Sequence, residues 1–562
     1  MAIRFTAKVF SLEFHCEIYP ANMSILNYSI CPICLVSVCL AILHLLSSSR
    51  INAASDQMHS ASSTGSEGKA LLIWKASLDN YSQSQLSSWL PSVNPCSTWI
   101  GVRCNKAGRV SVINITSSGI KGTLDHLKFS SLPHITRFDL YRNALHGTVP
   151  ANIGNLSRLI YLRLASNQLS GAIPIQISQL TNLRFLYLSN NSSNGSIPKE
   201  VTFLMSLVHL SLTVNEFTGS IPSSIGNMTD LTVLDLEGNK LSGSIPEEIG
   251  KLRSLIELSL ASNMFLGSIP QSIRNLGNLT FLYLTNNFLS GPIPEGIWSL
   301  LSLEELLFQK NNLTGNIPNS IGNLKMLVFL NIFGNELTGH IPSSIGNLTK
   351  LKYLDLSQNN LYGAIPPELG TLKLLAYISI FENQLSGALP DGFNNLTHLN
   401  VLMLSQNYLT GHLPQNICIG RSLTRFVVSE NNFVGAMPRS LKNCSSLRVI
   451  NVADNQLSGS ISEEFGIHPD VEFINLNKNK FFGQLSWNWS GYLNLTALGI
   501  SNNNLSGRIP SGLGELSRLQ ILYLSSNHLH GKIPRSLGKL TLLLSLKLHN
   551  NSLSGNIPSE IG

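Results

Sequence analysis

Three acidic residues, Asp235, Glu237 and Glu257, have a spacing that invites a catalytic interpretation. Paired carboxylates let glycosidases protonate a leaving group while the second acid attacks or activates water. We expect these acids on an open sheet without a dry pocket around them, and the histidines show neither H-E-x-x-H spacing nor a triad-like order. The patch is therefore expected either to hold a basic group of a ligand or to be a solvated charge cluster. No enzymatic activity, cofactor or metal is expected.

The elements that position these acids are set by a repeat. The asparagine of an N-x-L-x-G pattern recurs every 24 residues at eighteen positions, from Asn143 to Asn551, and the Gly four residues later is always present. The segment LTVLDLEGNKLSGSIPEEIG, residues 231–250, shows the L-x-x-L-x-L-x-x-N frame. A fixed period of this kind is the signature of a solenoid, and this frame is that of leucine-rich repeats.

The period of two within one repeat predicts a short strand with Leu234 and Leu236 facing inward. One coil cannot bury such a row, whereas stacked coils form a parallel sheet over a continuous apolar core. We expect each repeat asparagine to bond to the backbone of its own and the neighbouring coil as a structural ladder. The predicted fold class is therefore an α/β solenoid.

Composition agrees with one long repeat domain. The 562 residues are 43% hydrophobic and 12% charged. The net charge of +7 comes without a Lys/Arg run, so the sequence gives no support for nucleic-acid binding.

Residues 1–54 are predicted to be a leader, because Ile33–Leu46 is an apolar run of fourteen, the length of a secretory signal rather than of a spanning helix. Met23 is an alternative start, and an uncleaved anchor is an alternative role. The C-P-I-C at Cys31–Cys34 resembles a redox motif but lacks the strand-helix context. Residues 55–66 are assigned to a linker.

Many N-x-S/T sequons follow the leader and together favour a glycosylated, extracellular protein. The predicted glycosylation sites are Asn114, Asn155, Asn227, Asn278, Asn312, Asn347, Asn395, Asn494 and Asn504.

Two cysteine pairs follow the leader, Cys96 with Cys104 and Cys418 with Cys444. In a secreted chain such pairs indicate disulfides. Cys418 and Cys444 fall at nearly the same place on adjacent coils, where a bridge is geometrically plausible. A zinc site is the alternative, and it lacks further ligands at suitable spacing.

Residues 67–108 are predicted to cap the solenoid, because its first coil would otherwise expose the core. Trp74, Trp89 and Trp99 are expected to pack within this cap rather than to bind a ligand. Residues 109–562 are assigned to about nineteen repeats, the last of them incomplete.

The residues between the strand leucines form columns on one face, which is the candidate ligand-binding surface. An extended peptide of ten residues would cross about seven coils, since strands lie about 4.8 Å apart and a peptide rises about 3.3 Å per residue. Aromatic residues are densest between 281 and 381, and Gln309 and Asn331 are expected to offer amides outward. An intrinsic strand preference of aromatics is the alternative explanation. The predicted contacts are Phe281, Tyr283, Gln309, Phe329, Asn331, Phe333, Tyr353, Asp355, Tyr377 and Phe381.

The W-x-G-V-x-C motif at residues 99–104, followed by L-x-G-x-I-P repeats, resembles the ectodomain of plant leucine-rich-repeat receptor-like kinases over residues 67–562. The segments LPQNICIGRSLTRF, PRSLKNCSSLRV and GQLSWNW resemble the group of male-discoverer-interacting receptor-like kinases. The resemblance implies a right-handed superhelix, a concave surface that binds a secreted peptide in defence or development, and a co-receptor kinase ectodomain as a second partner. It also implies localisation at the extracellular face of the plasma membrane or in the cell wall.

The sequence departs from that family because it ends at NIPSEIG inside a repeat, and none of the protein-kinase motifs occurs in it. We expect a piece of a longer protein, attached to the membrane through a C-terminal helix absent from this sequence or through an uncleaved leader. A secreted inhibitor of wall-degrading enzymes, similar to polygalacturonase inhibitors, or a secreted decoy is the alternative.

Overall fold

The computed structural model describes residues 65–464, 466, 468–485 and 489–561. The predicted leader, its C-P-I-C motif and most of the predicted linker lie outside the described residues. Within them, no helix is long and apolar enough to cross a membrane.

The cap consists of three α-helices, Ser66–Ser77, Asn80–Gln85 and Pro95–Thr98, and an antiparallel strand pair, Val102–Cys104 with Val110–Asn114. Trp89 packs between the other two cap tryptophans, with ring centroids 6.2 Å from Trp74 and 5.1 Å from Trp99. All three rings are buried, as predicted. The cap therefore covers the core end with stacked indoles.

One strand of each coil joins a twenty-stranded sheet among the described residues. Beyond the cap pair, its strands are parallel and pair in steps of 24 residues, as Leu234 pairs with Leu258. This sheet presents what we call the concave face, formed by the side chains two, four and six residues before each ladder asparagine. Its remaining strands are Arg137–Asp139, Tyr161–Arg163, Phe185–Tyr187, His209–Ser211, Val233–Asp235, Glu257–Ser259, Phe281–Tyr283, Glu305–Leu307, Phe329–Asn331, Tyr353–Asp355, Tyr377–Ser379, Val401–Met403, Arg425–Val427, Val449–Asn451, Phe473–Asn475, Ala497–Gly499, Ile521–Tyr523 and Ser545–Lys547.

The chain then turns into a second row of strands beside the concave face. The first nine strands of this row are Lys121–Gly122, Ala144–Thr148, Gln168–Gly171, Ser192–Ser196, Glu216–Gly219, Lys240–Gly243, Met264–Gly267, Phe288–Pro292 and Asn312–Thr314. Ten more follow: Thr338–Gly339, Asn360–Gly363, Gln384–Ala388, Tyr408–His412, Asn432–Gly435, Gln456–Ser460, Lys480–Gln484, Asn504–Gly507, His528–Gly531 and Ser552–Leu553.

Short 3-10 helices close most coils on the side opposite the concave face, usually directly after the proline of the I-P pair. They span Phe129–Ser131, Ala151–Asn155, Ile175–Gln179, Lys199–Phe203, Ser223–Asn227, Glu247–Lys251, Gln271–Asn275, Glu295–Ser299, Asn319–Asn323, Ser343–Asn347, Pro367–Thr371, Asp391–Asn395, Arg439–Asn443, Trp489–Gly491, Ser511–Glu515, Arg535–Lys539 and Ser559–Ile561. A short α-helix, Ile461–Glu464, takes this place in one coil.

The repeat asparagines form the predicted ladder. Asn335 donates from Nδ2 to the carbonyl of Phe308 on the preceding coil and to that of Ile332 on its own coil, both at 3.1 Å. Its Oδ1 accepts the backbone N–H of Leu313 at 3.0 Å. Each ladder asparagine thus satisfies backbone groups that the turn out of the strand would leave unpaired.

The glycine of the N-x-L-x-G pattern is needed where the second strand ends. Gly243 has φ +78°, and a Cβ added there would come within 3.4 Å of Ser220 on the preceding coil. The left-handed backbone at this position favours glycine, which has no side chain, whereas a Cβ at 3.4 Å would be an ordinary van der Waals contact.

Both predicted disulfides are present. Cys96 bonds to Cys104 inside the cap, with Cα atoms 5.4 Å apart, and Cys418 bonds to Cys444 between adjacent coils, with Cα atoms 6.0 Å apart. The second bridge covalently joins two coils that otherwise contact each other through core packing and strand pairing.

Candidate ligand-binding surface

An aromatic row lies on the concave face in the stretch predicted from the sequence. The rings of Phe329 and Tyr353 have centroids 5.7 Å apart, and those of Tyr353 and Tyr377 stack at 4.1 Å. These residues are register partners on consecutive strands, so the ring spacing follows from the sheet. Phe281 and Tyr283 lie two coils before Phe329, with centroids 6.3 Å apart.

Four predicted contacts are buried within this surface. Asn331, Phe333, Asp355 and Phe381 are 6%, 3%, 5% and 7% exposed. The expectation that Asn331 offers its amide outward is wrong, because its Oδ1 accepts the N–H of Phe333 at 3.2 Å and neighbouring side chains cover it. These four residues lie in the columns beside the aromatic row and are covered by their neighbours.

Asp355 accepts hydrogen bonds from a residue of its own coil. Its Oδ1 accepts the backbone N–H of Ser357 at 3.1 Å as well as the Ser357 hydroxyl. Burial raises the pKa of Asp355 to about 6, although the hydrogen bonds from Ser357 oppose that shift. The carboxylate is therefore already partnered within the protein.

Gln309 has an unusual environment. The residue is half-buried, and its Oε1 is inaccessible to solvent without a hydrogen-bond donor among the described residues. Its side chain belongs to the same column as Phe333 on the next coil. A buried acceptor without a donor costs about 1–3 kcal/mol, and because solvent does not reach this oxygen, a ligand could donate to it only after neighbouring side chains had moved.

The acidic patch forms as predicted on the preceding coils. Asp235 and Glu257 lie on adjacent strands, and Glu237 accepts the hydroxyl of Ser259 at 3.4 Å. Burial, followed by the charges of Glu257 and Glu237, raises the pKa of Asp235. Burial, followed by the charges of Glu305 and Glu237, raises the pKa of Glu257 to about 7.

None of these carboxylates forms an ion pair within the described part of the chain. Glu305 extends the patch towards the aromatic row and accepts the hydroxyl of Tyr283 at 2.7 Å. The raised pKa values of Asp235 and Glu257 favour their protonated forms in the free protein, and a cationic ligand group would stabilise the charged carboxylates.

Basic and aromatic residues at the start of the concave face were not among the contacts predicted from the sequence. Arg137, Tyr161, Arg163 and Tyr187 lie on three consecutive strands and stack on one another or on Tyr141. Their positions in the sequence could have identified them, since these residues lie four or six positions before a ladder asparagine and therefore on the concave face.

The predicted glycosylation sites leave most of the concave face uncovered. Asn155, Asn227, Asn347 and Asn395 end 3-10 helices and are exposed. Asn312 and Asn504 begin strands of the second row, whereas Asn278 and Asn494 lie between the 3-10 helix and the concave strand of their coils. Asn114 ends the second cap strand and is the site in this set that belongs to the twenty-stranded sheet. Glycosylation itself stays a prediction.

Comparison with known proteins agrees with this architecture. A leucine rich repeat N-terminal domain matches residues 64–105, and leucine rich repeat models match residues 133–192 and eleven segments between 182 and 540. A probable leucine-rich repeat receptor-like protein kinase of Arabidopsis thaliana is 42% identical over 101 residues, which is 17% of this chain and 9% of the relative. MDIS1-interacting receptor like kinase 2 of the same plant is 42% identical over 104 residues, 17% of this chain and 10% of the relative. The matches thus span about a tenth of these curated relatives.

Solved structures match over far more of the chain. The ectodomain of the Arabidopsis receptor kinase HAESA, solved with an IDA peptide hormone, has a TM-score of 0.80 and 33% identity, covering 88% of this chain and 87% of that one. The plant peptide hormone receptor RGFR1, solved with RGF2, has a TM-score of 0.69 and 30% identity, covering 83% and 89%. The chain belongs to the leucine-rich-repeat family, in the group formed by plant receptor kinase ectodomains.

Proposed function

We propose that this chain is the extracellular, peptide-binding region of a plant leucine-rich-repeat receptor kinase, which signals at the cell surface in defence or development. The region acts as a binding module rather than as an enzyme. It lies in the secretory pathway and then on the outer side of the plasma membrane or in the wall, and a co-receptor kinase ectodomain is its second partner.

The observation that carries this proposal is the row of stacked rings at Phe329, Tyr353 and Tyr377 on the concave face. Rigid aromatic rings give apolar contact area at low entropic cost, which suits the side chains of a peptide. The solved HAESA and RGFR1 complexes with peptide hormones support this assignment by similarity.

The strand spacing also suits an extended chain. Two coil steps, from Phe329 to Tyr377, correspond to about 10 Å, or about three residues of an extended peptide. Alternate side chains of such a peptide lie about 6.6 Å apart, so about two of them would contact the three rings. A secreted inhibitor of a wall-degrading enzyme would instead use this face for a folded protein surface, and the experiment below separates the two.

The test is selection of peptides from a random library of about twelve residues on the immobilised, secreted protein, followed by calorimetry with the selected peptides. We expect Phe329→Ala to weaken the binding of selected peptides by about tenfold or more, since a contacting ring is lost from the centre of the site. Phe329 is 37% exposed, so the thermal stability should change little.

Phe288→Ala is the matched control, because this ring is 58% exposed but lies on the second row of strands. It should leave the affinity unchanged. Equal losses for the two variants would contradict a site on the concave face. A protein that selects no peptide but binds a wall-degrading enzyme would replace the proposal with the inhibitor function.

A further inference from the structure

The first strands of the concave face hold two arginines between tyrosines. The Cζ atom of Arg137 lies 3.8 Å from the ring centre of Tyr161, and that of Arg163 lies 3.6 Å from the ring centre of Tyr141 and 5.9 Å from that of Tyr187. We call these five residues the Arg–Tyr cluster. Stacking engages the faces of a guanidinium, so an anion would be bound, in a bidentate manner, through its edge N–H groups.

The two arginines differ in charge balance. A nitrogen of Arg137 lies 2.6 Å from Oδ2 of the buried Asp139, so that arginine is neutralised within its own strand. Arg163 forms no ion pair among the described residues. The Arg–Tyr cluster therefore has one uncompensated positive charge, held in a fixed orientation by two tyrosine rings.

Arg163 and the acidic patch belong to one column of the sheet. Register pairing runs from Arg163 to Tyr187, from Tyr187 to Ser211 and from Ser211 to Asp235. Three strand steps correspond to about 14 Å, or about four residues of an extended peptide. The column thus places a positive and a negative site at a peptide-like separation.

The residues between these two charges are neutral. Ser211 is buried, and the imidazole of His209 lies against Tyr187 with ring centroids 4.6 Å apart. Burial lowers the pKa of His209 to about 4, so this histidine is uncharged at and above mildly acidic pH. Nothing in this interval screens Arg163 from Asp235 with a third fixed charge.

We propose that the face from Arg163 to Asp235 selects peptides by charge pattern: Arg163 binds an acidic side chain, and Asp235 with Glu257 binds a basic side chain about four residues away. This inference rests on the proposed function and specifies the ligand's chemistry. A polypeptide fits better than an acidic polysaccharide, because a uniform polyanion would meet repulsion from Asp235, Glu237 and Glu257.

The test uses the random peptide library on four forms of the protein: the unmodified chain, Arg163→Gln, Asp235→Asn and Arg184→Gln. Arg184 is exposed and lies just outside the concave strand Phe185–Tyr187, so it is the matched control for a lost arginine charge. Selected peptides are sequenced, and their affinities are measured at low and moderate salt. Thermal unfolding of each variant confirms folding, and Glu257→Gln replaces Asp235→Asn should the latter fail to fold.

We expect peptides selected by the unmodified chain to carry an acidic and a basic residue about four positions apart. Arg163→Gln should abolish the preference for the acidic residue and keep the preference for the basic residue, and Asp235→Asn should do the reverse. Each variant should bind peptides that carry both charges more weakly, by about tenfold or more. Arg184→Gln should select the same pairs as the unmodified chain.

Peptides selected without this charge pair, or pairs that survive both substitutions, would overturn the inference while leaving the proposed function standing. Selection of acidic peptides alone, with displacement by oligogalacturonate, would assign the face to an acidic polysaccharide and overturn it as well. If no form of the protein selects any peptide, the proposed function fails together with this inference.

Discussion

The asparagine ladder offers the sharpest test of how the coils are held together, and Asn335 is the position at which to make it. Its Oδ1 is the acceptor for the backbone N–H of Leu313, whereas the carbonyls of Phe308 and Ile332 each keep a second donor, Asn311 and Asn359 respectively. Asn335→Ala therefore orphans one buried N–H and weakens two carbonyl bonds. The cost of one such orphaned group is about 1–3 kcal/mol, so we expect a loss of about 2 kcal/mol.

The assay is amide hydrogen exchange, because a solenoid opens locally and a single unfolding midpoint would average over many coils. Exchange at Leu313 should accelerate by about thirtyfold in Asn335→Ala, which corresponds to the expected loss of about 2 kcal/mol at 1.4 kcal/mol per tenfold. Coils several repeats away should exchange at unchanged rates.

Two variants serve as controls. Asn360→Ala removes an exposed asparagine one residue after a ladder position and should change stability by less than about 0.5 kcal/mol. Asn551→Ala removes the same set of hydrogen bonds from a half-exposed asparagine, where water can replace the amide, and should cost less than Asn335→Ala. Equal exchange at Leu313 in Asn335→Ala and Asn360→Ala would refute the structural role of the ladder.

Two further predictions concern the cross-link and the acidic patch. Replacing Cys418 and Cys444 by serine opens a loop with a separation of 26 residues and should lower stability by about 3 kcal/mol, seen as new protease cleavage near these coils; resistance equal to that of the unmodified chain would count against the bridge. Burial and neighbouring carboxylates raise the pKa of Glu257 to about 7, so the folded state binds this proton more tightly than the unfolded state does. Stability from this group is present below its ordinary pKa and is lost as the pH rises towards 7. Between pH 5 and 7, Glu257→Gln should make the melting temperature fall less with rising pH, and an unaltered slope would be incompatible with the raised pKa. His209, whose pKa is lowered to about 4, has the opposite trend and cancels because it is present in both proteins, whereas the pKa of Asp235, which Glu257 helps to raise, falls in Glu257→Gln and adds to the difference.

The scaffold could be predicted from the sequence because its determinants are local or strictly periodic. A leucine row of period two needs a neighbour on which to bury itself, and a spacing of 24 residues supplies the same row again, as Leu234 and Leu258 show. The ladder follows from the same register, since an asparagine at a fixed turn meets identical backbone groups in every coil. Both disulfides and the burial of the cap tryptophans were predictable because their determinants are also local or repeat with the coil.

What the sequence by itself determined, then, is the coil, its period and the face to which each side chain belongs. Only the tertiary structure decided which residues of that face remain open, because exposure depends on the bulk of side chains one coil away, 24 residues distant in the chain. Phe329 stays open whereas Asn331, on the same strand and face, is covered. Arg163 became a candidate only when stacking on Tyr141 and an uninterrupted column to Asp235 were visible. Side-chain direction is fixed by strand geometry, but accessibility and charge balance are set by packing between coils.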